Sequence, residues 1–204
     1  MLEPYVIDLR QAESELTSFE TWLNAAGFVS ETVIVREIRK RPSMLCLLGP
    51  VGAIPAADLF KWELGMQGLY RTDLVLGNHR SRSFLLIEFE GAEEFSVFKG
   101  KGTAQYRNWS PQLEHGFGQV VDWAALRAPG PNPVMQNTFK GDIAKSTFLV
   151  ICGRDAGIHA GLERQRFNFR RDNVQIQGLL SQVLTYDDMV GAMRDALEAW
   201  KTLP

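Results

Sequence analysis

Three carboxylates lie at one end of a β-hairpin that the sequence predicts over residues 71–91. Successive side chains of a strand point to opposite faces, so Glu88 and Glu90 share a face, and a turn at residues 79–82 would place Asp73 opposite Glu88. Buried carboxylates persist only when they are paired, protonated or bound to a cation. The spacing therefore predicts a site for a hard divalent cation, most economically Mg²⁺, with Mn²⁺ as a substitute. The other interpretation is an amphipathic hairpin with solvent-exposed acids.

The order of these acids resembles the core of PD-(D/E)xK nucleases, in which an aspartate precedes a hairpin that ends in Glu-x-Lys. The resemblance implies that Asp73, Glu88 and the backbone carbonyl of Phe89 hold the metal ion. In such sites the metal polarises the scissile phosphate and generates the attacking hydroxide. The third position, usually a lysine that positions or deprotonates the water, is Glu90 in this chain. A few restriction endonucleases of the superfamily also use Glu-x-Glu, so Glu90 is compatible with a place in the metal shell or with orienting water.

Segments near the hairpin supply further candidates. A helix predicted over residues 56–66 would bring Lys61 and Glu63 close to the acids. In nucleases of this fold a helix just before the hairpin often adds an acid, so Glu63 is a candidate metal ligand and otherwise a surface residue. Phosphoryl transfer depends largely on charge stabilisation, so a cation displaced from the lysine position could be Lys61, Lys99 or Lys101.

The bulk composition is that of an ordinary globular protein. At 204 residues, with 45% hydrophobic and 23% charged residues, the chain can bury a full core as a single domain over residues 1–204. A formal charge of -2 gives no overall attraction to polyanions, so nucleic-acid binding would need local basic patches. The N-terminus carries no signal pattern and no apolar run approaches about 20 residues, which predicts a cytoplasmic protein without a membrane contact.

Five arginines in the C-terminal half are candidate contacts for nucleic acid, with DNA as the expected partner. They are Arg154, Arg164, Arg166, Arg170 and Arg171. The run over residues 164–171 interleaves aromatic and cationic side chains, as proteins that bind single strands do. The alternative is a solvated helix face whose aromatic side chain faces the core.

The remaining pattern predicts alternating helices and strands. Residues 11–26 repeat apolar side chains at helical spacing, and residues 186–201 form a last helix that Thr185 and Asp188 can cap. Further helices are predicted over residues 110–126 and 160–171, and strands over 32–38, 44–48, 147–152, 174–177 and 182–185. This order matches an α/β sandwich with a central mixed sheet flanked by helices. The nuclease resemblance implies the PD-(D/E)xK, restriction-endonuclease-like form of that fold.

Several motifs together resemble the Shedu family of bacterial anti-phage nucleases. They are Phe148-Leu-Val-Ile-Cys-Gly-Arg, an arginine-rich helix, Val183-Leu-Thr-Tyr-Asp-Asp-Met and the helical segment Glu114-His-Gly-Phe-Gly-Gln-Val-Val-Asp-Trp. The resemblance implies that Gln119 belongs to the site and positions the phosphate or the water. Many Shedu proteins carry a large N-terminal regulatory region. A chain of this length resembles the bare nuclease domain, so regulation is expected from homo-oligomer contacts or from a separate partner.

These patterns lead to functional hypotheses of different classes. The first is a metal-dependent nucleic-acid phosphodiesterase, a DNA endonuclease in phage defence. Its catalytic residues would be Asp73, Glu88, Glu90 and Gln119. The second is a catalytically inactive nuclease-like domain that binds nucleic acid or a partner protein, because Glu90 replaces the usual lysine. A third is a structural subunit of a larger defence complex. His115 is either an acid or base of the site or a surface residue.

Overall fold

A mixed β-sheet with apolar side chains on both faces organises the chain. The computed structural model describes residues 2–100, 106–126, 133–139, 143, 145–176 and 179–202. Its strands are β1 (Glu3–Pro4), β2 (Leu59–Trp62), β3 (Gly65–Met66), β4 (Tyr70–Arg71), β5 (Leu74–Asn78), β6 (Ser83–Phe89), β7 (Lys145–Ile151), β8 (Gln175–Ile176) and β9 (Leu179–Leu184). Within these residues, seven strands form one sheet in the order β1-β2-β5-β6-β7-β9-β8, and β3 pairs separately with β4.

The acidic hairpin consists of β5 and β6 at the middle of this sheet. The two strands pair antiparallel up to Asn78 and Ser83, so the turn lies at residues 79–82, as the spacing predicts. On its other side β6 pairs parallel with β7, and β7 pairs parallel with β9. All seven residues of β6 are buried, as is typical of a strand that is covered on both faces. The carboxyl ends of β6, β7 and β9 therefore meet at one edge of the sheet.

Helices cover both faces of the sheet. They are α1 (Leu9–Ala26), α2 (Glu31–Arg39), α3 (Pro42–Leu45), α4 (Pro111–Leu126), α5 (Pro133–Phe139), α6 (Leu162–Asn173) and α7 (Tyr186–Lys201). On one face α1, α3 and α7 share a core with Leu85 and Ile87, and on the other α4 and α6 share a core with Phe84 and Leu86. The α/β architecture, a mixed sheet flanked by helices, is confirmed. Among the helices of the described residues, none combines the length and apolar content needed to cross a bilayer.

Three segments adopt a different structure from the one that their composition predicts. Residues 32–38 lie in α2, where two isoleucines one turn apart are buried, because tertiary packing outweighs the strand preference of β-branched side chains. Residues 44–48 belong to α3 and to the 3₁₀ helix Cys46–Gly52, which follow a proline at the first helical turn. Residues 56–66 form β2 and β3 instead of a helix, because β2 completes the sheet beside β5.

The other expected helices and strands have counterparts in the structure. The helices predicted over residues 11–26, 110–126, 160–171 and 186–201 correspond to α1, α4, α6 and α7, and the strands at 147–152, 174–177 and 182–185 overlap β7, β8 and β9. Thr185 caps α7 by accepting a hydrogen bond from the Asp188 N–H at 3.0 Å, and the Asp188 carboxylate accepts from the Thr185 N–H. This reciprocal pair fixes where α7 begins.

Arg154 is a buried structural residue that joins the end of α1 to the start of α7. Its Nε donates to Asp187 Oδ2 at 2.9 Å, and its Nη1 donates to the carbonyl oxygens of Leu23 at 2.8 Å and Gly27 at 2.9 Å. The guanidinium therefore satisfies groups inside the protein and is 8% exposed. This position corrects the assignment of Arg154 to a nucleic-acid surface.

Replacing Arg154 with Gln should destabilise the fold, because the Asp187 carboxylate and the carbonyl oxygens at the end of α1 lose the guanidinium that donates to them. We expect the free energy of unfolding, measured by urea denaturation, to fall by about 3 kcal/mol. Arg164→Gln is the matched control, since Arg164 is more exposed and its ion pair with Asp155 is worth about 1 kcal/mol at most. Equal losses in the two variants would contradict the buried role of Arg154.

Candidate active site

The hairpin brings the predicted acids together at the end of β6. Leu74 pairs with Ile87, so extending the register by one residue places Asp73 opposite Glu88. The backbone N–H of Phe89 donates to Asp73 Oδ2 at 2.9 Å. Asp73 is therefore tied to the strand that carries the two glutamates.

Burial changes the protonation of this cluster. Glu88 is 6% exposed and Glu90 is 2% exposed, whereas Asp73 is partly exposed. Burial, together with the charges of Asp73 and Glu90, raises the pKa of Glu88 to about 9. Burial is also the main cause that raises the pKa values of Asp73 and Glu90. The interpretation as a hairpin with solvent-exposed acids is therefore wrong for both glutamates.

Helix α4 contacts both glutamates through side chains one turn apart. Gln119 Nε2 donates to Glu88 Oε1. His115 is exposed on α4, and its Nδ1 lies 2.8 Å from Glu90 Oε1. Between them, a Cβ on Gly116 would lie 2.9 Å from Glu90 Cγ, closer than side-chain carbons pack. The glycine is what lets α4 approach the strand closely enough for these contacts.

Helix α2 adds two charged residues that sequence reasoning missed. A β-bridge between Val29 and Ala92 places the start of α2 beside the segment that follows β6. After burial, the charge of Glu31 is a further cause that raises the pKa values of all three acids, whereas the charge of Arg39 lowers that of Asp73. A strand over residues 32–38 gives no reason to place Glu31 or Arg39 beside the hairpin, whereas α2 does.

Glu63 lies next to the cluster, but its carboxylate is occupied. Its backbone N–H donates to the carbonyl oxygen of Asp73 at 2.9 Å. Its side chain forms ion pairs with Arg39 and, at 3.3 Å, with Arg71. The hydrogen bond and charge of Arg39 lower the pKa of Glu63. The structure therefore places Glu63 in an exposed arginine cluster at the margin of the site, and its role as a metal ligand stays a prediction.

Within the part of the chain that the structure describes, neither Lys61 nor Lys99 contacts the three acids. Lys61 forms an ion pair with Glu3 at the edge of the sheet. Lys99 is exposed, and its backbone N–H donates to the Asn108 carbonyl at 2.8 Å. Lys101 lies outside the described residues. The cationic side chains that act on the acids are instead Arg39, through its charge, and His115 when protonated.

The arginines of α6 have different partners. Arg164, Arg170 and Arg171 form ion pairs with nearby carboxylates. Arg166 donates to the backbone carbonyl of Arg107 at 2.6 Å and lies over aromatic rings. Their contact with nucleic acid stays a prediction.

The oxygen donors of the cluster suit a magnesium-like ion. Phe89 directs its N–H toward Asp73, and the carbonyl of the same extended residue points to the same side of the strand. Mg²⁺ commonly takes one or two carboxylates and keeps several waters. Among the described residues, no group of three or more His, Cys, Asp or Glu side chains is arranged to hold an ion. An ion at Asp73 and Glu88 would therefore depend on the Phe89 carbonyl and on water.

The fold and the cluster define an α/β domain with an acidic site at the carboxyl edge of its central strands. The family model described as "Shedu protein SduA, C-terminal" matches residues 29–190, which include α2, the acidic hairpin, α4 and the start of α7. Because the match covers most of the 204 residues, the chain belongs to the Shedu family. A comparison with curated proteins gave no match.

The raised pKa of Glu88 predicts how the metal-free protein responds to pH. A glutamate in the unfolded chain ionises near pH 4.5, whereas folded Glu88 keeps its proton up to about pH 9. The contribution of Glu88 to stability is therefore complete below pH 4.5 and is lost as the pH rises through about 9. Glu88→Gln can still accept the Gln119 hydrogen bond. In EDTA at pH 8 it should be more stable than wild type, by on the order of 2 kcal/mol, with the difference vanishing near pH 4.5.

Urea denaturation at several pH values measures this difference. Asp122→Asn is the matched control, because Asp122 is exposed on α4 and its replacement should leave stability unchanged within about 0.5 kcal/mol. A Glu88→Gln protein that is less stable than wild type at pH 8 would show that Glu88 is structurally paired.

Proposed function

We propose that this chain is a metal-dependent nucleic-acid phosphodiesterase that acts as a DNA endonuclease in bacterial anti-phage defence. One observation carries the proposal: Glu88 is buried beside two further carboxylates, and within the described residues no lysine or arginine forms an ion pair with it. A divalent cation would supply the positive charge that allows Glu88 to ionise in this buried position. Membership of the Shedu family supports the same function.

Each residue has a role that follows from its position. Asp73, Glu88 and the Phe89 carbonyl would hold Mg²⁺ or Mn²⁺. The bound ion would polarise the scissile phosphate and lower the pKa of a water molecule. Gln119 orients Glu88 through its amide, and its place on α4 suits contact with the phosphate or with the water. Glu90 would orient that water.

Positive charge for the developing phosphorane must come from outside the usual lysine position, because Glu90 occupies it. His115 contacts Glu90 directly, and the charge of Arg39 acts on Asp73. In this proposal these two side chains stabilise the negative charge, in place of the lysines considered from the sequence.

Metal binding tests the site without requiring activity. Asp73→Ala should weaken Mn²⁺ binding by roughly 10- to 100-fold in calorimetric titration, because it removes one of the few oxygen ligands. Glu63→Gln is the matched control, since its carboxylate already pairs with Arg39 and Arg71 and its loss should change the affinity by less than about twofold. Equal affinity in wild type and Asp73→Ala would remove the metal site from the proposal.

Cleavage of plasmid and linear DNA tests the function itself. Wild type should cut both DNAs in the presence of Mg²⁺ or Mn²⁺, and EDTA should abolish this cleavage. Asp73→Ala should lower the rate by on the order of 10²–10³-fold, because the charge that develops in the transition state loses its stabilisation. Asp73→Ala prepared in the same way also controls for contaminating nucleases.

Glu90 favours a second function, that of a nuclease-like domain that binds nucleic acid or a partner protein without cutting. Glu90→Lys separates the two functions. If Glu90 works in an active Glu-x-Glu site, the substitution should impair cleavage or change the metal preference. If activity was lost together with the lysine, the same substitution should restore cutting. DNA binding without cleavage by wild type, with either metal, would favour the second function.

A further inference from the structure

A groove between α4 and α6 combines flat aromatic rings with guanidinium groups. Arg166 and Arg170 lie one turn apart on α6, and their Cζ atoms are 4.8 and 5.0 Å from the centre of a Trp109 ring. The Phe117 ring of α4 lies 4.4 Å from the Cζ of Arg170. Phe169 lines the same groove and is 68% exposed. The groove therefore presents the exposed Phe169 ring next to aromatic rings that are stacked with guanidinium groups.

The charge in this groove favours an anionic ligand. Arg170 is compensated by its ion pair with Glu114. Arg166 has no carboxylate partner among the described residues, and its guanidinium donates to the backbone carbonyl of Arg107. Lys99 is exposed and is hydrogen-bonded through its backbone to the residue before Trp109. Uncompensated positive charge beside an exposed ring suits a ligand that has both flat faces and negative charge.

The groove is separate from the acidic cluster. His115 and Gln119 contact the acids from one flank of α4. Glu114 and Phe117 contact Arg170 on the other flank. Phe117 follows His115 by two residues, which is about 200° around a helix, so the two surfaces are separated by one helix width of roughly 10 Å.

We infer that this groove binds an unpaired nucleic-acid strand, with one base stacked on Phe169 and a phosphate beside Arg166. Stacking of bases on exposed rings with cations nearby is how proteins hold single strands without reading their sequence. A continuous duplex keeps its bases stacked inside and offers no free face, so the groove selects unpaired nucleotides. The inference shares with the proposed function the assumption that nucleic acid is the ligand, but it requires neither a metal nor cleavage.

Fluorescence anisotropy with labelled oligonucleotides, measured on the full chain in EDTA, tests the inference. Phe169→Ala should weaken binding of oligo-dT by about 5- to 150-fold, whereas Phe169→Trp should retain it. Because the Phe169 ring is exposed, its removal should leave the circular dichroism spectrum unchanged. Phe95→Ala, at an exposed ring outside the groove, is the matched control and should bind like wild type. A parallel series with oligo-rU distinguishes a DNA strand from an RNA strand. The affinity of Phe169→Ala for a duplex should differ from that of wild type by less than about twofold.

Three results would overturn the inference. In the first, wild type binds neither oligonucleotide. In the second, wild type and Phe169→Ala bind with equal affinity. In the third, that equal affinity is accompanied by a lower molecular mass of Phe169→Ala than of wild type in sedimentation. The last would assign the groove to a contact between copies of the chain. Cleavage is a separate outcome: binding through Phe169 without DNA cutting would support the groove and reject the nuclease, and cutting with Phe169-independent binding would do the reverse.

Discussion

The burial of Glu88 near the end of β6 is the constraint on which the rest of the site depends. Because β6 is covered on both faces, a carboxylate there cannot turn to solvent as it would on an exposed sheet. An ionised carboxylate in such a position needs a compensating charge or keeps its proton. Its hydrogen-bond donor is the neutral amide of Gln119, and its pKa rises to about 9. The buried acids therefore make the metal-free fold less stable. In natural proteins such local conflicts occur mainly at functional sites.

The first turn of α2 adds to this conflict. Helix α2 places Glu31 near the same acids, which adds negative charge. Its other end carries Arg39, but that guanidinium pairs with Glu63 and lies over the Trp62 ring at 5.0 Å. Arg39 is thus held by its own partners, although its charge still acts on Asp73. A site with hard oxygen donors, excess negative charge and restrained cations at its edge is one that a divalent ion would complete.

The acidic cluster could be predicted from the sequence because a side-chain period of two and a four-residue turn determine the register of a hairpin. The α/β order follows in the same way from apolar periodicity, except between residues 32 and 66. Glu31 and Arg39 could not be found, since β-branched residues favour a strand locally and form α2 only when packed on the core. The contact between His115 and Glu90 depends on the close approach of α4 to β6. Gly116 allows this approach, but its role can be recognised only when the position of Glu90 beside it is known.

Helix α4 relates the two surfaces that the proposals use. One flank holds the glutamates through Gln119 and His115, and the other borders the aromatic groove through Phe117. Since a helix is stiff over this length, the separation of the two surfaces is fixed by its width. A duplex with an unpaired end could place its free strand in the groove while its backbone reaches the acids, whereas a continuous duplex would meet only the acids. Under both proposals a substrate with a junction between paired and unpaired nucleic acid would contact both surfaces of α4 and would bind more tightly than a continuous duplex, which would still reach the acids.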